Sequence, residues 1–272
     1  MFNLGIFGRG TDELDELSNV LDRAANYCET LRQSAFHFVC DEKIVETVAK
    51  RRQNFEKTRR SPWHKKRTEI KSEYQIIKDR DNIEEYRVNR SSDSRVAVFS
   101  FQNALVPLYL FARENQDKYS YQILDKEKVL KRRAYKIEIR LKKEAVLETL
   151  AFAWVDCKDF SILKTEFFPK AFKGYRHLQN LDERNIENLL IDDIHFFGFQ
   201  RNGLRFPSKT EILISYSEKY LANRSRGRRG PRPSLGMPTQ LDLRTKIKTT
   251  YNYANYRFFT AQTSDPVIVY SP

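Results

Sequence analysis

Leu241, Leu243, Thr245, Ile247, Thr249, Tyr251 and Tyr253 alternate without a break with Asp242, Arg244, Lys246, Lys248, Thr250 and Asn252. Successive side chains of a strand point to opposite sides, so this run fits a long strand with one dry and one wet face and no helix. The same period of two runs through Tyr119, Tyr121 and Ile123, and through Tyr135, Ile137, Ile139 and Leu141 set against Lys136, Glu138 and Arg140. Hairpins link further extended pairs: Tyr74–Lys78 with Ile83–Val88, Phe152–Asp156 with Phe160–Phe167, and Ile191–Gln200 with Leu204–Tyr216 through Arg201-Asn202-Gly203. Asn-Gly is the strongest turn signal in the chain, because both residues tolerate the positive φ of a tight hairpin.

Roughly nine or ten strands joined mostly by hairpins make an antiparallel sheet, and a sheet that wide twists and curls. The fold class expected is therefore α+β: a curved antiparallel sheet, an incomplete half-barrel, with helices over its apolar concave face. Two covers are available. After Thr11, a suitable N-cap, Leu14, Leu17, Leu21, Ala24, Cys28 and Leu31 recur at helical spacing, and Pro107 suits the first turn of a short helix within 103–118. Residues 1–34 form the N-terminal helical segment and 35–272 the half-barrel, one domain overall, with a strand expected over 35–48, a polar connection over 49–71 and a basic loop inserted at 219–236.

The 272 residues are 40% hydrophobic and 31% charged, with a formal net charge of +13. Such a chain is too apolar to be disordered and basic enough to seek anionic partners. Most of the basic residues are scattered; Arg224, Arg226, Arg228, Arg229 and Arg232 form the one true cluster, read as a solvated loop or as an arm for nucleic acid or membrane. No run approaches the ~18 apolar residues of a membrane helix. Met1–Gly8 lacks a basic n-region and a small-residue cleavage pattern, so the expectation is either a cytoplasmic protein or an export signal missing from this chain. Cys28 and Cys40 stand in a helix and the strand after it, where a disulfide between them and a pair of free buried thiols are both open; Cys157 is left in a hairpin turn.

Chemistry finds little support. No Gly-x-Ser-x-Gly elbow occurs, the nine glycines build no phosphate loop, and His37, His64, His177 and His195 have no metal-like spacing. Asp79–Asn82 lacks the Gly and distal Glu of a calcium loop. No catalytic residue, metal or cofactor is expected.

Ala153-Trp154-Val155-Asp156, the turn, and Leu163-Lys164-x-Glu166 resemble a hairpin of bacterial outer-membrane lipoprotein carriers and the related periplasmic lipoprotein-sorting proteins. Tyr121–Leu124 with Arg133–Ile139 resembles the preceding strand pair, Phe206-Pro-Ser-Lys resembles the following turn, and the likeness spans about 72–260. The resemblance implies a noncatalytic carrier or sensor that shelters acyl chains, a lipoprotein or another hydrophobic ligand between sheet and helices, without a cofactor, in the periplasm. Under it, Tyr121, Ile137, Ile139, Phe152, Trp154, Ile212, Ile214, Ile247 and Tyr251 are the candidate ligand-facing residues. The partner expected is a lipid or lipidated protein, with an anionic membrane surface or acidic protein as a further contact; the chain is expected to be a monomer, and nucleic acid is not expected. The alternative is a nucleic-acid or protein-binding module that uses the arginine run and the wet strand face carrying Arg244, Lys246 and Lys248.

Overall fold

The computed structural model describes residues 9–34, 37–54, 62–79, 82–89, 105–142, 149–168, 186–222 and 239–259. Helix α1 (Arg9–Ser34) is followed by strands β1 (His37–Asn54), β2 (His64–Asp79) and β3 (Asn82–Asn89). A short helix α2 (Val106–Phe111) and a 3₁₀ turn (Arg113–Lys118) lead into β4 (Tyr119–Val129), β5 (Arg132–Leu141), β6 (Thr149–Asp156) and β7 (Ile162–Phe167). The chain ends with β8 (Ile186–Phe196), β9 (Phe199–Arg201), β10 (Leu204–Phe206), β11 (Lys209–Ala222) and β12 (Thr239–Phe258).

Ten strands form one open sheet in the order β3-β2-β1-β12-β11-β8-β7-β6-β5-β4, with every neighbour antiparallel. The expected curved α+β sheet is thus present, and it is not closed into a barrel. The last strand sits mid-sheet: β12 pairs with β1 on one side and β11 on the other. Its alternation is the one read from sequence. Thr245, Thr249, Tyr251 and Tyr253 are buried, while Arg244, Lys246, Lys248 and Asn252 are exposed. Opposite Cys40 of β1, between the pairs Val39–Arg257 and Asp41–Ala254, β12 carries one extra residue, with Asn255 at φ 54°, and this bulge re-sets the phase so that Phe38 and Phe258 still face inward.

The core lies between the inner sheet face and the helices. From α1 come Val20, Ala24, Tyr27, Cys28 and Leu31, spaced by three and four along one stripe, and α2 adds Val106, Leu108, Leu110 and Phe111. Pro107 occupies the first turn of α2, where its missing N–H costs nothing. Short polar ties fasten this layer. Gln116 Nε2 donates to Leu21 O at 3.1 Å and Phe111 O at 3.0 Å, and the backbone N–H of Arg205 donates to Tyr27 Oη at 3.0 Å.

Two expectations need correction. The segment read as a polar connection, 49–71, is mostly strand: β1 continues to Asn54 and β2 begins at His64. Here Lys50, His64 and Lys66 on the inner face are exposed as well as Lys65 and Arg67 on the outer one, so the strands run beyond the helical cover with both faces wet and show no alternation. The Cys28–Cys40 disulfide is absent and all three cysteines are free. Cys28 Sγ is turned to Pro107 O at 3.3 Å, on the helical layer, while Cys40 is buried on β1, where loss of solvent pushes its thiol up to about 12. The basic run at 224–232 lies outside the described residues.

The Asn202-Gly203 turn forms, with φ of 50° and 79°, but it closes a separate ribbon. The main ladder of β8 and β11 ends at Phe196 and Lys209, and β9–β10 folds away from it as a two-stranded sheet. Gly198 and Ser208 make the corner: Gly198 N donates to Ser208 Oγ at 3.0 Å, and that hydroxyl donates to Phe196 O at 3.1 Å. A Cβ on Gly198 would come within 2.6 Å of Ser208 Oγ. Gly198→Ala is therefore expected to cost about 1–3 kcal/mol in urea unfolding, through crowding and loss of these bonds, whereas Ala placed at the exposed Lys128 of β4 is expected to be near neutral.

Candidate ligand site

The register decides which side chains can meet a guest beneath the helices. Ile137 pairs with Ala153, so Ala151, Ala153 and Val155 point inward and the intervening residues outward. Of the nine candidate residues, Ile137, Ile139, Ile212, Ile214 and Tyr251 lie buried on the inner face, and Tyr121 and Ile247 are half-buried against the same core. Tyr121 ties sheet to cover: its hydroxyl donates to Leu110 O at 2.7 Å, and its ring stacks on Phe111 with centroids 6.0 Å apart.

Phe152 and Trp154 are corrected. They belong to a separate outer cluster with Ala134, Leu163 and Val129, on the side of Lys136 and Glu138. Trp154 Nε1 donates to Glu127 Oε2 at 2.9 Å, and Lys164 Nζ sits 3.9 Å from the indole centroid. Ala-Phe-Ala-Trp is apolar in both phases, so composition alone leaves its direction open; the bulkier pair went to the face where charged neighbours leave room above the sheet. The conspicuous hairpin residues are structural. Asp156 is buried, accepts the backbone N–H of Lys158 at 2.7 Å and Asp159 at 3.2 Å, and meets Arg132 Nη2 at 2.9 Å, which closes the β6–β7 turn.

The inner face also carries polar groups that the period-two pattern did not distinguish from apolar ones. Near β3, Glu42 accepts from Ser72 Oγ at 2.7 Å and from Arg87 Nε at 3.1 Å, and the Arg87 guanidinium lies 4.8 Å from the Tyr74 ring. Arg87 also meets Glu85 at 2.9 Å, yet burial dominates and pushes the Glu85 carboxyl up from 4.5 to about 7. Further along, His195 Nε2 lies 3.0 Å from Asp193 Oδ2, and Thr210 Oγ1 lies 3.2 Å from His195 Nδ1. Hydroxyl, imidazole and carboxylate in that order are the parts of a hydrolytic relay, but all three residues have exposures of 1% or less, so Thr210 is sealed from solvent. Asp193 Oδ1, Thr165 Oγ1 and Thr249 Oγ1 are buried without a hydrogen-bond partner among the described residues.

Two clefts open beside this layer. One of about 490 Å³ lies where the end of α1, α2 and the edge strand β3 meet, lined by Arg32, Ile83, Leu105, Leu108, Tyr109, Glu114 and Asn115. Its floor is apolar and continuous with the core, and its rim carries the Arg32–Glu114 ion pair. A second, about 530 Å³, lies between α1 and the turns at Asp159 and Asn202 and is lined largely by polar groups, with Arg23 4.9 Å from the Phe160 ring centroid.

No family model and no curated protein matches the chain. Among solved structures, the chain is similar to a DUF1329 family protein from Desulfovibrio piger, at 12% identity over 90% of this chain and 94% of that one, with a TM-score of 0.34. It is also similar to a LolA superfamily protein from Nitrosomonas europaea, at 12% identity over 88% and 94% of the two chains with a TM-score of 0.30. A third is an outer membrane lipoprotein-sorting protein domain from Vibrio parahaemolyticus, at 12% identity over 91% and 95% with a TM-score of 0.25. The second and third are the kinds of protein that the hairpin residues resemble. At such identities and scores they add no weight to a functional reading, which rests on the chain's own geometry.

The Glu85 environment has a measurable consequence. A carboxyl raised in the folded state favours folding below its unfolded value, and that advantage disappears as pH rises through the folded value. Between about pH 4.5 and 7 the protein is expected to lose stability through Glu85, by at most about 3 kcal/mol for a shift of this size. Glu85→Gln should flatten the pH dependence of urea unfolding in that window, and an unchanged slope would contradict the assignment.

Proposed function

We propose that the protein is a noncatalytic carrier or sensor of an amphipathic, acyl-chain-bearing ligand, a lipid or the lipid moiety of a protein, held between the inner sheet face and the helices and acting in the periplasm as a monomer. The observation that carries this reading is the cleft of about 490 Å³ bounded by helix on one side and a sheet edge on the other. Leu105, Leu108 and Ile83 offer a chain an apolar wall that leads toward the core, while Arg32, Glu114 and Asn115 at the rim suit a polar head. A cleft of this composition fits the general pattern of small-molecule sites, which are mostly apolar with a few polar groups that fix orientation.

The cover meets the sheet mainly through the apolar stripes of α1 and α2, with polar ties from Tyr121 Oη to Leu110 O, from Arg205 N to Tyr27 Oη and from Lys126 Nζ to Glu16 Oε1. A guest chain enters along this apolar seam. The inner polar groups set a limit on the guest: Asp193, Thr165 and Thr249 interrupt the apolar surface on one flank and the Glu42–Arg87–Glu85 cluster does so beside β3, so a hydrocarbon chain gains most along the wall of Leu105, Leu108 and Ile83.

The test is a fluorescent acyl probe titrated into lipid-free protein, with unlabelled fatty acids of increasing length as competitors. Each added methylene is worth roughly 0.8 kcal/mol when buried, or up to about fourfold in affinity, until the cleft is filled. Leu108→Glu, which brings a charge into the apolar wall, is expected to weaken binding at least tenfold. Trp154 emission is expected to stay unchanged, measured in a Trp63→Phe background, because its indole lies on the outer face. Absence of probe binding, or binding indifferent to both chain length and Leu108→Glu, would refute the carrier reading.

A further inference from the structure

The outer face of β2, β1 and β12 concentrates positive charge more than the sequence suggests. Register aligns Lys65, Ala49 and Lys246 in one row, Arg67, Thr47 and Lys248 in the next, and Lys71, Lys43 and Asn252 two rows on. Same-face residues repeat at about 6.7 Å along a strand, and β2 and β12 stand about 10 Å apart with β1 between them. Two cationic ladders therefore flank a floor of Val45, Thr47 and Ala49. Acids offset part of this charge: Glu69 pairs with Lys43 at 2.7 Å and Arg67 at 3.6 Å, Glu211 of β11 pairs with Lys248 at 3.0 Å, and the exposed Asp192 of β8 lies in the Lys248 row; among the described residues the cations of these rows still outnumber them.

Such a face is costly in isolation. Lys43 sits directly opposite Lys71, and Arg51 directly opposite Arg244; like charges across a strand pair destabilise it. The spacing also falls within one screening length of about 8–10 Å, so the surplus of positive charge left after the Glu69 and Glu211 pairs is self-repulsive, and an external anion above it relieves that repulsion. Beside them, in the same rows, are the exposed leucines Leu213 (36% exposed) and Leu190 (61%). Trp63 lies at the edge of the patch, its ring 5.9 Å from the Arg51 guanidinium and 5.6 Å from Lys246 Nζ.

We propose that this outer face is a docking surface for a bilayer bearing anionic lipid headgroups. Phosphates in a plane match two parallel rows of cations, and the leucines and the indole meet the interfacial region just beneath the headgroups, where amphipathic and apolar side chains are stabilised. A nucleic-acid backbone would satisfy the lysines and arginines but leave Leu190 and Leu213 without a counterpart. The surface lies on the side of the sheet opposite the cleft, so docking leaves the helical cover exposed and does not depend on the carrier reading.

Flotation with vesicles of phosphatidylcholine, with and without phosphatidylglycerol, tests the proposal. Binding is expected only with phosphatidylglycerol, should weaken steeply with added salt, and should fall about fivefold for each cation removed in Lys246→Gln and Lys248→Gln. Leu213→Ser should weaken binding without changing its salt dependence. The salt titration uses the unsubstituted protein, so it stands even if a variant folds poorly. Equal binding to neutral vesicles, indifference to the strand substitutions with loss only on deletion of 224–232, or capture of an oligonucleotide in preference to vesicles would each overturn it. Acyl-probe binding in vesicle-free buffer should be unaffected by the lysine substitutions; its absence while vesicle binding persists would strike the carrier reading alone.

Discussion

The structure depends on one long antiparallel zipper. β12 pairs with β1 from Phe258 opposite Phe38 to Leu241 opposite Asn54, and with β11 along its other edge. The first three strands and the last seven meet nowhere else in the sheet order. Because side chains alternate, a slip of β12 by one residue would turn Tyr251 and Tyr253 to solvent and carry Lys246 and Lys248 into the core. Burying those lysines unpaired is prohibitive, so the alternation that defines the strand also fixes its register, and the bulge at Asn255 keeps Phe258 in phase.

That single register makes two unlike surfaces. Inward it lines up the apolar residues against which α1 and α2 pack, leaving the seam and cleft at the β3–α2 side. Outward it stacks the lysines and arginines of β2 and β12 into ladders. A ligand-handling interior and a cationic exterior are thus two faces of one ladder, and neither can be redesigned without disturbing the other's phase. The inner face is not uniformly greasy: Glu42, Arg87, Asp193 and His195 occupy it, and their mutual bonds confine the strongly apolar region to the flank beneath the helices.

Much of this was legible in the sequence, for stated reasons. Period two identified β12 and β5, Asn202-Gly203 located a turn, and Pro107 marked the start of a short helix, because each reflects a local steric rule. What failed depended on long-range pairing. The phase of Phe152 and Trp154 needed the partner strand's Lys136 and Glu138; the strand ends near Ala49 and His64 carry charge on both faces and so show no pattern; and whether Cys28 could reach Cys40 turned on the path of α1 over the sheet. The neighbourhood of β1 and β12, strands from opposite ends of the chain, has no local signature at all. At the site, Leu105 and Leu108 stood in a segment read only as a helix, and nothing in their spacing pointed to a cleft.

The central claim, that a guest chain lies between sheet and helices, is tested most directly by a photoreactive acyl probe bound to the protein, cross-linked by light and mapped by peptide mass spectrometry. Adducts are predicted on Ile83, on residues 105–109 and on the inward positions of β4 and β5, with competition by unlabelled fatty acid. Adducts confined to the outer face around Trp154 and Lys246, or spread over the surface and insensitive to competitor, would contradict it.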